Sequence, residues 1–185
     1  MELEIIRSDR RSFAIQIKQN KLIVRAPRRA SDEEINSLLR KNQKWIEKHA
    51  AKAQEHQKAL ESCRKLTEDE LLKLYDKAKE VIPERAAYYA QLVGVSYNRI
   101  TIRSQRTKWG SCSAKGNLNF NCLLMLAPTE VLDSVVVHEL CHLKEMNHSD
   151  RFYAEVLRVF PEYRKWHGWL KDNGDKLMAM LPPTT

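Results

Sequence analysis

Two histidines and a glutamate in the second half of the chain have the types and spacing needed for metal-assisted hydrolysis. Residues 138–142 read His-Glu-Leu-Cys-His, the pattern H-E-x-x-H, inside a run with helical periodicity. Histidines four residues apart lie one turn apart on one side of a helix, so His138 and His142 can bind one zinc ion. Around the helix axis, Glu139 lies between the two histidines on the other side, where it can reach a metal-activated water without being a ligand. We therefore predict a catalytic zinc site with Glu139 as general base.

A catalytic zinc site needs a third protein ligand and keeps one position open. His148 is the candidate, because it follows His142 by six residues in a polar segment that should end the helix. Ser149 is a helix-capping residue type, so a new helix should begin there and the chain should turn His148 back toward the metal. We predict one zinc ion per chain, bound by His138, His142 and His148.

The remaining histidines are weaker candidates for this site. His49 and His56 lie in a charged segment and are expected on a solvated helix face. His167 is a candidate for a contact with the substrate or the transition state. Tyr153 and Arg151 are alternatives for the same role, and the sequence does not choose among the three.

The first third of the chain predicts a β-hairpin. Residues 12–18 alternate polar and apolar side chains with period two, and residues 21–25 resume the pattern. Gln19-Asn20 between them predicts the turn.

Three helix starts follow from capping residues and prolines. Ser31 and Thr67 each precede a glutamate by three residues, the pattern of a capping box. The first of these helices should run to about Leu60, and the second should break near Pro83. The helix that carries the H-E-x-x-H motif should start at Pro128.

A second β region lies between these helices. Residues 99–103 and 117–123 alternate well, and residues 109–116 are typical of a tight connection. We expect Asn117–Leu123 to be an exposed edge strand that a substrate peptide could join.

Length and composition favour a single soluble domain. The 185 residues carry a net charge of +8, from 32 Lys and Arg against 24 Asp and Glu, and one domain over 1–185 is the expectation. No run reaches the ~18 apolar residues of a membrane helix, and the start of the chain lacks a signal-peptide layout. The four cysteines form no C-x-x-C pair and are typical of free thiols. We therefore predict a cytoplasmic protein with no membrane partner.

The charge is uneven along the chain. Residues 1–66 hold 16 basic and 9 acidic residues, a net charge of +7, whereas residues 67–185 hold 16 and 15, a net charge of +1. This pattern predicts a basic N-terminal subregion, 1–66, and a catalytic region, 67–185. The basic part is either a solvated surface or a binding surface for nucleic acid.

The order of these motifs resembles the YgjP-like metallopeptidase family, also described as predicted metal-dependent hydrolases. The segments that carry the resemblance are residues 21–27 with 44–46, 108–113 with 117–121, and 138–142 with 147–148 and 151–152. The resemblance implies an α+β fold: a small zincin-like domain whose mixed sheet packs on the H-E-x-x-H helix, beside an N-terminal hairpin and long helix. It also implies zinc at His138, His142 and His148, with Glu139 as general base. SprT-like and Wss1-like proteases, which act on DNA-bound proteins, are distant kin.

The predicted function is a zinc-dependent metallopeptidase acting on a peptide or protein substrate. Two alternatives use the same zinc, water and glutamate: hydrolysis of a non-peptide amide, or proteolysis near nucleic acid bound by the basic N-terminal third. The segment Trp109–Ser113 has a structural interpretation as a tight β-connection and a functional one, with Cys112 as a redox-sensitive or inhibitory thiol near the cleft. Cys141 is expected to pack against the core.

Overall fold

The computed structural model describes residues 1–18 and 21–183, and the turn predicted at Gln19-Asn20 lies outside the described residues. The chain divides into two compact units, Met1–Ser62 and Cys63–Thr185. The sequence-based expectation of one domain over residues 1–185, with a change of character after residue 66, stays a prediction.

The first unit is a small sheet with two helices. Its elements are β1 (Glu2–Ser8), β2 (Ala14–Lys18), β3 (Lys21–Pro27), α1 (Asp32–Lys41) and α2 (Gln43–Glu61). β3 is central, antiparallel to β2 as the hairpin pattern predicts and parallel to β1. β1 is absent from the predicted elements, although Leu3 and Ile5 alternate with two glutamates, and both apolar side chains are exposed in the structure. The buried side chains Val24, Ala26 and Ile35 form the centre of this unit's core.

The long helix expected from Ser31 to Leu60 is interrupted at Asn42, so that prediction is wrong in this respect. The capping box at Ser31 is present and starts α1. At Asn42 the backbone leaves helical geometry (φ −104°, ψ 12°), and its side-chain amide donates to the carbonyl of Leu38 at 2.8 Å. An asparagine side chain that bonds nearby backbone groups competes with the helical pattern, which accounts for the break.

The second unit combines a mixed sheet with longer helices. Its elements are α3 (Glu68–Val93), β4 (Arg99–Arg103), β5 (Gly110–Cys112), β6 (Asn117–Asn121), a short 3-10 helix (Cys122–Leu126), α4 (Thr129–Cys141), α5 (Asp150–Val159) and α6 (Tyr163–Ala179). The α+β class and the mixed sheet beside the motif helix are confirmed.

α3 continues through Pro83 without ending there, so the break predicted at this proline is wrong. The proline removes one backbone donor, but Ile82 and Ala86 on either side are fully buried in the core. Tertiary packing therefore holds the helix together at a point where local propensity disfavours it.

The strand order β4-β6-β5 places β6 in the centre of the sheet, parallel to β4 and antiparallel to β5. The expectation that Asn117–Leu123 forms an exposed edge is therefore wrong, because both sides of β6 are already paired. β4 and β5 are the two edge strands of this sheet. The β5–β6 turn needs Gly116, whose φ of +73° lies in the left-handed region.

In the part of the chain that the structure describes, no helix combines the length and the apolar character needed to cross a membrane.

Candidate metal centre and active site

Core packing positions the motif helix α4. A run of valines (135–137) disfavours a helix by propensity alone, yet all three are buried in the core. His138 lies in the last turn of this helix and His142 is its C-terminal capping residue. The helix therefore fixes both imidazoles on one side, one turn apart.

The orientation of the His142 ring follows from its hydrogen bond. Its Nδ1 lies 3.1 Å from the carbonyl oxygen of Glu145. A carbonyl can only accept, so Nδ1 carries the proton and donates. The neutral ring then keeps an unprotonated Nε2, which faces the other histidines.

The third histidine reaches the pair because a new helix begins immediately after it. The Ser149 hydroxyl accepts from the backbone N–H of Phe152 and caps α5 as predicted. The Nε2 of His138 lies 3.1 Å from Nε2 of His142 and 3.0 Å from Nε2 of His148. The structure thus brings the three histidines together, with their donor atoms all within 4.8 Å of one another.

The ring of Phe152 packs against all three imidazoles. Its ring is fully buried and its centroid lies 4.9, 4.5 and 5.0 Å from the ring centroids of His138, His142 and His148. Packing against a rigid aromatic ring restricts the orientations that each imidazole can adopt.

The cluster fits a divalent metal ion by its chemistry. Burial, together with the neighbouring histidines, lowers the pKa of His138 to about 3, and burial lowers that of His142. Both rings are therefore neutral near pH 7 and offer lone pairs. Tetrahedral zinc with bonds of about 2.0–2.1 Å sets its nitrogen ligands about 3.3 Å apart, close to the nitrogen separations at His138.

Glu139 lies beside this cluster and is buried, with 6% of its surface exposed. Burial raises its pKa to about 7, and the positive charge of Lys108 opposes that rise. A carboxyl whose pKa lies near neutrality can both take up and release a proton at that pH, as a general base that later acts as an acid must do.

Gly110 on the edge strand β5 leaves the space that the Glu139 carboxylate occupies. A Cβ built at Gly110 would lie 2.6 Å from Oε1 and 2.7 Å from Cγ of Glu139. Any other residue at position 110 would therefore displace the glutamate or the strand. Gly110 therefore does more than form part of the β-connection between residues 109 and 113: it leaves room for the Glu139 side chain.

A pocket of about 190 Å³ opens next to His138 and Glu139. Its walls come from the segment that ends at the first residue of β5, from α4 and from the first half of α6: Thr107, Lys108, Trp109, Gly110, Ser134, Val135, His138, Glu139, Tyr163, His167 and Leu170. Its small volume and mostly apolar wall suit a single side chain or a similarly small group.

The buried side chain of Asn121 holds the loop that forms one wall of this pocket. Its amide donates to the carbonyl oxygens of Gln105 (2.7 Å) and Lys108 (3.0 Å), and its own oxygen accepts from the N–H of Leu123. These bonds fix Lys108 at the rim of the pocket, although its side chain is exposed.

The three candidates for a transition-state contact separate in the structure. His167 lines the pocket, whereas the pocket walls, as far as the chain is described, include neither Arg151 nor Tyr153. Tyr153 lies beside His148, with ring centroids 6.2 Å apart. The geometry therefore favours His167.

Sequence reasoning missed Tyr163, whose hydroxyl lies 2.9 Å from Nδ1 of His138 and 3.2 Å from Nδ1 of His167. The available signal was the spacing of Tyr163 and His167, four residues apart and hence on one face of a helix. Nothing in the local pattern linked that face to His138, which lies 25 residues earlier.

The surroundings of Cys112 and Cys141, the two cysteines next to the site, make their thiols less reactive. Burial and the charge of Glu139 raise the pKa of Cys112 to about 11, so its thiol stays protonated near pH 7, the less reactive form. Cys141 is buried in the core as expected.

A motif helix, three converging imidazoles and an adjacent buried carboxyl define a class of metal-dependent hydrolases. The family model described as "YgjP-like, metallopeptidase domain" matches residues 11–72 and 63–173. The chain therefore belongs to the YgjP-like metallopeptidase family. The family is described as a metallopeptidase domain, and the cluster of His138, His142 and His148 is a group of side chains that could hold a metal ion.

Three proteins are similar to part of the chain. UTP pyrophosphatase of Escherichia coli (strain K12) is 29% identical over 85 residues, which cover 45% of this chain and 51% of that protein. The chain thus matches about half the length of this curated relative.

Two crystal structures of metallopeptidase zymogens resemble part of the chain at 22% identity. Abylysin of Pyrococcus abyssi has a TM-score of 0.45 over 50% of this chain and 94% of its own. Jannalysin of Methanocaldococcus jannaschii has a TM-score of 0.46 over 51% and 97%.

Proposed function

We propose that the chain is a zinc-dependent metallopeptidase that binds the ion through His138, His142 and His148 and uses Glu139 as general base. The observation that carries this proposal is the convergence of three Nε2 atoms beside a buried carboxyl. The Nδ1 of His142 is committed to the Glu145 carbonyl, so its Nε2 lone pair points into the cluster. Lone pairs that face one another are stabilised by a cation between them.

A zinc ion held there would polarise the scissile carbonyl and lower the pKa of a water molecule to about 7. Glu139 would act as general base: it would take a proton from the attacking water while the water oxygen bonds to the substrate carbonyl carbon. The C–N bond then breaks, and Glu139 returns the proton to the leaving amine. Its pKa of about 7 suits both transfers.

The edge strand β5 is our proposed site for the substrate backbone, in place of the β6 strand that the sequence suggested. Among the described strands, β5 pairs with β6 alone, so its other side can receive an extended peptide by main-chain hydrogen bonds. Gly110 at the start of β5 lies against Glu139, so a peptide on this edge would pass beside the general base. The pocket of about 190 Å³ next to Glu139 would take one substrate side chain.

The test is hydrolysis of a panel of unfolded proteins and small amides by the wild type and by Glu139→Gln. We expect peptide-bond cleavage by the wild type and a loss of about 10²–10⁴-fold in the variant, the usual contribution of general base catalysis. Glu130→Gln is the matched control, since Glu130 is an exposed residue in the first turn of the same helix. Cleavage of small amides alone would favour the non-peptide alternative, and full activity in Glu139→Gln would contradict the assigned role.

A second candidate function is hydrolysis of a nucleotide phosphoanhydride. It is favoured by the partial similarity to a UTP pyrophosphatase and by Lys108, a cation at the rim of the pocket beside Glu139. A lysine there could pair with a phosphate. Release of pyrophosphate from UTP, reduced by Lys108→Ala more than by Lys115→Ala, would support this function over peptide hydrolysis.

The basic N-terminal subregion carries the remaining alternative, an association with nucleic acid. Its net charge of +7 over residues 1–66 is the relevant observation. A surface that contacts phosphates binds oligonucleotides with an affinity that falls steeply with salt. A solvated basic surface shows no such binding between 50 and 200 mM salt.

A further inference from the structure

The hydroxyl of Tyr163 connects the predicted metal ligand His138 to His167 in the pocket. Tyr163 is at the start of α6 and is almost fully buried. Its oxygen lies 2.9 Å from Nδ1 of His138 and 3.2 Å from Nδ1 of His167. A phenol carries one proton, so it can donate to only one of these nitrogens and must accept from the other.

The direction of the two hydrogen bonds follows from His138. Its Nε2 faces Nε2 of His142 and of His148 at 3.1 and 3.0 Å. If that nitrogen binds the metal, as the proposed function requires, the ring proton is on Nδ1 and donates to the Tyr163 oxygen. The Tyr163 proton is then directed to Nδ1 of His167, and the neutral His167 ring carries its own proton on Nε2.

We propose that Tyr163 is a positioning residue that sets the tautomers of both histidines, so that His167 presents its Nε2–H to the substrate in the pocket. This inference rests on the proposed function for the identity of the metal ligand. His167 would then be the hydrogen-bond donor to the negative charge that develops on the substrate during hydrolysis.

The rings of His138, Tyr163 and His167 lie close together and nearly parallel. Tyr163 and His167 are four residues apart on α6 and stack with centroids 5.1 Å apart and planes at 24°. The His138 ring is almost parallel to that of His167, at 8°. The centroids of His138, Tyr163 and His167 form a triangle with sides of 6.0, 5.1 and 6.5 Å, and the Tyr163 hydroxyl lies within hydrogen-bond distance of both imidazoles.

The position of His167 suits a hydrogen-bond donor to the substrate. A neutral imidazole carries one proton, so the tautomer decides which of its two nitrogens donates. The ring lines the same pocket as Glu139, while the residue as a whole is solvent-exposed. A substrate can therefore reach it.

The experiment combines Tyr163→Phe with His167→Gln in the full chain. Removing only the hydroxyl should weaken zinc affinity about 10–100-fold, the usual effect of losing a partner of a metal-bound histidine. It should also convert His167 from a single Nε2–H tautomer to a mixture, which long-range ¹H–¹⁵N NMR detects. His167→Gln should keep zinc affinity within about twofold and lower kcat about 100-fold, in the range seen for loss of one oxyanion donor.

Tyr88→Phe is the matched control, because Tyr88 is an exposed tyrosine on α3, in a different part of the unit. Unchanged zinc affinity and an unchanged His167 tautomer in Tyr163→Phe would overturn the inference. If this variant does not fold, the tautomers of the zinc-loaded wild type decide: Nδ1–H on His138 with Nε2–H on His167 supports it, and the opposite pair overturns it. A wild type that binds no zinc contradicts the proposed function instead, a result that these readouts distinguish.

Discussion

Helix α2 buries none of its 19 residues, all of which the structure describes, whereas α4 buries ten of its 13. The polar side chains of α2 are solvated and cost the fold little. The buried polar side chains of α4 are Asp133, Ser134 and Glu139, and a buried polar group costs free energy unless it is hydrogen-bonded. What each of them contacts therefore shows whether it serves the fold or the chemistry.

Asp133 and Ser134 form hydrogen bonds within the fold that account for their burial. Asp133 accepts two hydrogen bonds from Arg85 at 2.7 and 2.5 Å and one from Tyr89 at 3.1 Å. Ser134 donates to the carbonyl of Val131 at 2.7 Å.

Glu139 has different surroundings: it lines the pocket beside His138, and burial raises its pKa to about 7. The positive charge of Lys108 only partly offsets that rise. This difference within one helix separates a carboxylate that stabilises the fold from the carboxyl group that we propose as general base. A buried acid that forms few stabilising contacts with positive charges is thus the better candidate for a catalytic residue.

The largest expected difference between the two helices is in stability. Leu140→Ala removes a fully buried side chain of α4 and should lower the free energy of unfolding by about 2–5 kcal/mol. Trp45→Ala removes a larger side chain from α2, but that residue is 40% exposed and the loss should be below about 1 kcal/mol. Urea unfolding followed by circular dichroism checks both values. A greater loss for Trp45→Ala would contradict the burial contrast.

The next prediction concerns the contact that orients Glu139. Gly110→Ala places a methyl group where the carboxylate lies and should lower kcat about 100-fold while zinc is retained, because a displacement of about 1 Å costs that much. Gly168→Ala is the control, since nothing lies within 4 Å of a Cβ built there. It should leave activity unchanged and slightly stabilise α6. A Gly110→Ala variant with the kinetics of the wild type would contradict the claim that Gly110 is needed to position Glu139.

A smaller effect is expected in acid. Arg158 and Lys144 hold the pKa of Glu155 on α5 at about 2, below its ordinary value of 4.5. The stabilising contribution of this carboxylate is thus fully present above about pH 4.5 and is lost as the pH falls toward 2. Both partners are more than one third exposed, so we expect about 1 kcal/mol.

Unfolding of wild type and Glu155→Gln between pH 2 and 6 measures this contribution. The two curves should converge at low pH. Glu162→Gln, at an exposed ion pair with Lys165, is the control and should change the profile less. Parallel curves for wild type and Glu155→Gln would exclude the assigned contribution.

Local patterns predicted much of this molecule. Capping boxes at Ser31 and Thr67 gave the helix starts that the structure shows, because these signals involve neighbours three residues apart. The proximity of His138, His142 and His148 followed from helical spacing and one short turn. Their role as ligands stays a prediction, as does that of Glu139.

The features that sequence reasoning missed depend on contacts between distant segments. The edge position of β5 is decided by which strand pairs with β4, and a strand pattern does not contain that information. The continuity of α3 through Pro83 depends on core packing. The contacts of Tyr163 with His138 and of Gly110 with Glu139 join residues 25 and 29 positions apart, whose local surroundings give no sign of the other partner.

Metal content tests the central claim most directly. Elemental analysis of the protein purified without added metal should find about one zinc per chain in the wild type and much less in His148→Ala. His49→Ala, a histidine change on the exposed helix α2, should retain the wild-type content. A well-folded wild type with little or no bound metal, or full zinc content in His148→Ala, would contradict the three-histidine site.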